Sequence, residues 1–194
     1  MGLVDRVKAI LITPQKEWPV IEAESATPAS LYTGYIIPLA AIPAVAGFVG
    51  MTMLGVRVLG MSIKVPMSTG LTNAVVVYVL ALVGVFVLAL IIDALAPSFG
   101  GQKSQIQALK LAAYASTASW LSGIFLIIPA LSILSIVGIY SLYLLYLGLP
   151  VMMKSPPDKS VAYTVVVILV AIVIYAVFGV IAGRVSGYGA IYNP

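Results

Sequence analysis

No charged residue occurs between Lys110 and Lys154. A helix needs ~20 mainly apolar residues to cross a hydrocarbon core about 30 Å thick. The uncharged stretch is therefore too long for one crossing and long enough for two. Elsewhere, Tyr32–Val56 and Val161–Gly183 carry no Asp, Glu, Lys or Arg, and Leu71–Ala96 carries only Asp93. Backbone groups in lipid must bond one another, which restricts a spanning chain to helices or a closed barrel. These runs are continuously apolar rather than alternating, which selects helices. Composition agrees. Hydrophobic residues make up 62% and charged residues 8%, against about 25% charged in a soluble domain. Too few charges exist to coat a water-facing surface.

The expected fold is an all-α integral membrane bundle with five transmembrane helices. They fall at Tyr32–Val56, Leu71–Ala96, Ala108–Ile128, Leu131–Met152 and Val161–Gly183. Only Pro129-Ala130 separates the third from the fourth; one crossing plus a re-entrant segment is the alternative there. Residues 32–194 form the membrane domain and residues 1–31 a separate segment. With five crossings, one side carries Arg6, Lys8, Lys16, Lys103, Lys110, Lys154 and Lys159. The other carries Arg57, Lys64 and Arg184. The excess of Lys and Arg marks the cytoplasmic side. It places the N-terminus inside and the C-terminus outside, in a multi-pass protein of the plasma (inner) membrane.

In residues 1–31, Leu3, Val7, Ile10 and Leu11 share one helical face, with Asp5, Arg6 and Lys8 off it. This predicts a short amphipathic helix lying on the cytoplasmic leaflet, with Trp18 as its anchor in the headgroup zone. A disordered tail is the alternative. The longest apolar run at the start, Ala9–Ile12, is too short for a signal peptide.

The chain has no Cys and no His. Disulfides, thiol chemistry and His-based acid, base or zinc chemistry are excluded. Its acids show no metal-ligand spacing, and no nucleophile–base pair or phosphate-binding loop is visible. No cofactor, no enzyme activity and no nucleic-acid partner are expected. Asp93, the one acid inside a span, is a candidate site by default, and Lys110 is its expected ion-pair partner on the next helix. The hydroxyls of "LAAYASTASWLSG" read as close helix packing or as a ligand face. Gly179 and Gly183 form a G-x-x-x-G, either a dimer face or an internal helix contact. Between the fourth and fifth spans, Gly148 to Lys159 form a polar elbow. There Pro150 and the Pro156-Pro157 pair are expected to stop helix, and Lys154 and Lys159 to hold the loop in the cytoplasm, with Asp158 as a turn cap.

That elbow, "YLLYLGLPVMMKSPPDKSVAYT", resembles the signature of the Yip family, the Ypt/Rab-interacting membrane proteins, in its short bacterial and archaeal branch. "ITPQKEWPVIEAE" is similar to the family's entry segment through Pro14, Trp18, Ile21 and Glu24. "YIIPLAAIPAVAGFVG" and "FGGQKSQIQALKLAAYASTASWL" are similar to its first span and its second–third connection. The resemblance implies five spans, a cytoplasmic N-terminus and no enzymatic activity. In eukaryotic relatives it also implies GTPase binding. The 31-residue N-terminal segment departs from those relatives and argues against such binding here. The expected function is a non-enzymatic membrane scaffold or accessory protein that binds partner proteins or itself within the bilayer. The alternative is a small transporter or channel using Asp93 and the polar face of the third span.

Overall fold

The computed structural model describes residues 1–58 and 61–186. Two short helices, α1 (Leu3–Ile12) and α2 (Pro14–Ala23), open the chain and pack on each other as a hairpin. Among the described residues, four helical segments are long and apolar enough to cross a membrane. They are α3 (Pro28–Leu54), α4 (Met67–Leu95, extended by a 3₁₀ turn to Phe99), Pro129–Met153 and α8 (Pro157–Val185). The third expected span is not one such helix. It is α5 (Gln105–Ala115), a break at Ser116, α6 (Thr117–Ser122) and a 3₁₀ turn, Gly123–Ile127. The expectation of purely helical structure also misses one small ladder, Val56–Val58 antiparallel to Met61–Ile63.

Local sequence explains the irregularities. In α3 the ring of Pro38 cannot donate to the Gly34 carbonyl, and a π-turn, Tyr32–Ile36, precedes it. Between Pro129 and Ile139 the chain is 3₁₀, followed by α7 (Tyr140–Met153). Side chains three apart eclipse in a 3₁₀ helix, so Ile133, Ile136 and Ile139 form one exposed apolar row.

Pro150 does not stop helix. It lies inside α7, which runs on to Met153 and ends at Lys154 in the left-handed conformation (φ 53°). The ring removes only the hydrogen bond to Tyr146, and packing on both sides holds the helix together: Leu149, Met152 and Met153 are buried. The helix break lies at Ser155–Pro156, as the proline pair predicts.

The tightest packing is at the end of the bundle where the N-terminal hairpin and the elbow meet. Ile10, Trp18, Ile21, Ile92, Leu111, Leu144, Leu149, Met152, Met153 and Tyr163 are all fully buried there. Apolar side chains of α4 and α8 instead point outward, among them Val75, Val79, Val83, Val165, Leu169 and Ile172. Apolar side chains facing outward along two long helices is the arrangement of a protein whose surrounding solvent is lipid.

Candidate functional site

The N-terminal segment packs against the helical bundle. The apolar residues Leu3, Val7 and Leu11 pack against the core, but the most buried arc of α1 is centred on Arg6 and Ile10. Ile10 belongs to the predicted face, so the buried arc is that face rotated by about 65° toward Arg6. Arg6, expected in solvent, is 5% exposed and donates to Glu17 of α2 and to Glu24 just after it. Its guanidinium also lies over the Tyr114 ring, 5.8 Å from the centroid. Burial pulls the Arg6 pKa down. The hydrogen bond to Glu24 and the charges of Glu24 and Glu17 more than offset this and hold it above its ordinary value. The charge is thus fixed at every physiological pH. A buried pair of this kind adds little net stability, but removing one partner costs about 3–5 kcal/mol because the other charge is left unpaired.

The pairing extends into the bundle. Tyr114 packs on Tyr35 of α3 at 4.5 Å between centroids. The Thr117 hydroxyl donates to the Tyr114 carbonyl (2.6 Å) and so accepts from the Tyr35 hydroxyl (2.7 Å). A cleft of about 460 Å³ opens beside this group, lined by Arg6, Glu24, Ser25, Gly34, Tyr35 and Tyr114 among others.

Lys110 does not pair with Asp93. Its ammonium donates to the carbonyls of Ile21 (2.9 Å), Glu22 (3.3 Å) and Glu24. These belong to the last turn of α2 and the residue that follows it, where carbonyls lack helical donors and carry partial negative charge. The lysine caps the hairpin. The expectation failed because it paired the only charges visible within the spans and left out a backbone acceptor from the N-terminal segment. Asp93 sits half-buried on α4, its Oδ1 without a hydrogen-bond partner among the described residues. No hydrogen bond joins it to the hydroxyls of residues 116–122. Those bond to backbone carbonyls and to Tyr35, while the Ser119 backbone N–H donates to the Ser141 hydroxyl.

Trp18 is no headgroup anchor. It is 0% exposed and rests on Gly148 of α7. A Cβ at Gly148 would lie 2.6 Å from the indole and 2.7 Å from Leu111 Cδ1. Only glycine leaves room for the ring, which is why this motif glycine faces this tryptophan. Lys154, one turn beyond Pro150, pairs with Glu22 at 2.7 Å. The elbow also holds the second–third connection. Gln102 donates its N–H to the Met153 carbonyl (2.7 Å), and Pro156 abuts Gly100. Asp158 is in the first turn of α8, where a negative charge suits the helix dipole. It and Lys159 are exposed. A Cβ at Gly179 or Gly183 would meet nothing within 4 Å, so among the described residues no close helix contact uses that stripe.

Sequence reasoning missed Arg6, Glu17 and Glu22. The segment's four acids and three basic residues nearly balance, so its charge pattern did not mark the buried pair.

A family model of the Yip1 domain matches residues 8–181. Inner membrane protein YohC of Escherichia coli strain K12 is 29% identical over 181 residues, covering 91% of this chain and 93% of that protein. YohC of Escherichia coli O6:H1, strain CFT073, matches to the same extent. No solved structure matches the chain. The matched region runs from α1 through α8 and so includes the hairpin, its glycine seat and the elbow: the chain belongs to the Yip1 family of membrane proteins.

Proposed function

We infer that the protein is a non-enzymatic scaffold or accessory subunit of the inner membrane, which receives a partner on the face formed by the hairpin and the elbow. The observation that carries this reading is the Lys154–Glu22 ion pair together with Trp18 on Gly148. Through them a segment at the chain's start and a loop near its end form one rigid surface. Interfaces work best on rigid elements held by their own packing. The exposed groups on and beside it, Val20, Lys103, Asp158 and Lys159, are suited to a partner with mixed charge. The reading includes a fifth crossing made by the broken α5–α6 segment. It also puts this surface in the cytoplasm, following the lysine and arginine count. The family resemblance supports an absence of catalysis, and the chain's lack of His and Cys agrees with it.

The test is retention of partners after gentle extraction. Replacing Lys154, Asp158 and Lys159 together by Ala is expected to abolish recovery of a stoichiometric companion while insertion and yield stay unchanged. Unchanged recovery removes this surface as the docking site. The transport alternative draws on the unpartnered Asp93 oxygen alone.

A further inference from the structure

The hairpin tip has a second feature, independent of the docking face. Residues Ile12, Thr13, Pro14, Gln15 and Lys16 meet Tyr140 and Tyr143 of α7 around a cleft of about 320 Å³. That is within the lower range of small-ligand sites, roughly 300–1,000 Å³. Tyr140 is committed: its hydroxyl donates to the Leu11 carbonyl (3.0 Å), and its ring lies 5.4 Å from that of Tyr143. The Tyr143 hydroxyl and the Lys16 ammonium have no hydrogen-bond or ion-pair partner among the described residues, and both side chains are open.

The depth of the cleft follows from helix geometry. From Pro129 the 3₁₀ segment and the start of α7 rise about 31 Å to Tyr146, which matches a hydrocarbon core of about 30 Å. Along that length the outward side chains are Leu131, Ile133, Leu134, Ile136, Val137, Ile139 and Leu142. It ends at exposed Tyr143 and Tyr146, the residue type that collects at headgroup level. The same length can be counted on two other helices. Some 20 residues of α4 from Leu71 reach Leu90, and some 20 of α8 back from Arg184 reach Val165. The hairpin therefore stands mostly outside the hydrocarbon, and its tip touches the boundary. Ile12, 75% exposed, is set to enter the acyl layer while Lys16 remains among the phosphates.

We propose that this cleft is a binding site for one anionic phospholipid of the leaflet on the hairpin side. Lys16 and the Tyr143 hydroxyl hold the phosphate, Gln15 contacts the polar head, and Ile12 lies along the chains. A phospholipid is the occupant because the cleft sits at headgroup depth, joins an unpaired cation to an open apolar side chain, and contains no acidic residue. This role replaces the one expected of Trp18. The segment does reach the lipid, but through the tip between its helices.

The test uses the full chain in detergent, titrated with phosphatidylglycerol or phosphatidylcholine and read as bound-lipid adducts by native mass spectrometry. Phosphatidylglycerol is expected to bind in preference. Lys16→Gln should weaken it about five-fold, the worth of one basic residue at an anionic surface, and leave phosphatidylcholine unchanged. Lys8→Gln, an exposed lysine outside the cleft, should change neither. Absence of a headgroup preference overturns the site. So does an equal loss with Lys8→Gln, which would mean diffuse attraction to the surface. Displacement of the lipid by millimolar inorganic phosphate also overturns it, since a free anion would then be the ligand.

Discussion

A glycine facing a tryptophan is a demanding pair. Gly148 lies in the middle of α7, where glycine costs about 0.5–1 kcal/mol relative to alanine. Its missing side chain is the room that the Trp18 indole occupies. Gly148→Ala should gain helix propensity and still lose stability, because overpacking a filled core costs about 1–3 kcal/mol. Thermal unfolding in detergent is the measurement, and a fall of several degrees is expected. Restoring space with Trp18→Leu in the same chain should recover part of the loss. A stable Gly148→Ala protein would mean that the ring can sit elsewhere. At this scale the sequence was only half legible. Gly148, Trp18, Lys110 and Lys154 were all singled out from the sequence. Their partners were not, because the contacts run from the N-terminal segment to α5 and α7, and no local pattern encodes a long-range choice between Asp93 and a backbone carbonyl.

The elements were easier to read, since the crossing helices announce themselves by length and apolarity. Where the reading failed, tertiary packing had overridden a local rule. Pro150 should end a helix and does not, because buried neighbours on either side keep the backbone helical. Arg6 should face water and does not, because Glu17 and Glu24 provide it with a buried site. The segment expected to form the third crossing breaks at Ser116, whose hydroxyl bonds back to the Ala112 carbonyl at 2.8 Å and competes with the helical ladder. The α8 stripe gives an element-scale expectation. A Cβ at Gly183 would meet nothing within 4 Å among the described residues, so Gly183→Ala should leave the monomer as stable or more stable by up to about 1 kcal/mol. If the stripe joins two copies, the same change weakens self-association. Analytical ultracentrifugation beside thermal unfolding separates these effects. A large loss of monomer stability would contradict the open face.

At the scale of the whole molecule the charge count and the helix count make a joint expectation. The chain has no cysteine, so single cysteines can be placed without background. Arg184→Cys and Ala130→Cys, both exposed, should react with an impermeant maleimide in intact cells. Lys159→Cys should react only after permeabilisation. Labelling of Lys159 with Ala130 and Arg184 both protected would overturn this arrangement, because two candidate spans separate Ala130 from Arg184 and keep them on one side. A labelled Lys8→Cys, also exposed, would then mean an inverted molecule, and a protected one would remove the fifth crossing and make residues 105–127 a re-entrant arm.

The hairpin's seat also bears on how the protein is made. Leu11 and Tyr140 are joined although 129 residues separate them. At about 5–20 residues per second, the hairpin segment waits some 6–26 s for its site to be synthesised. Until then the Trp18 indole has no Gly148 to rest on, and a chain missing its later helices displays it. The same contact that stiffens the finished protein therefore distinguishes a completed chain from an incomplete one, and an exposed Trp18 would be a mark of arrested assembly for quality control to find.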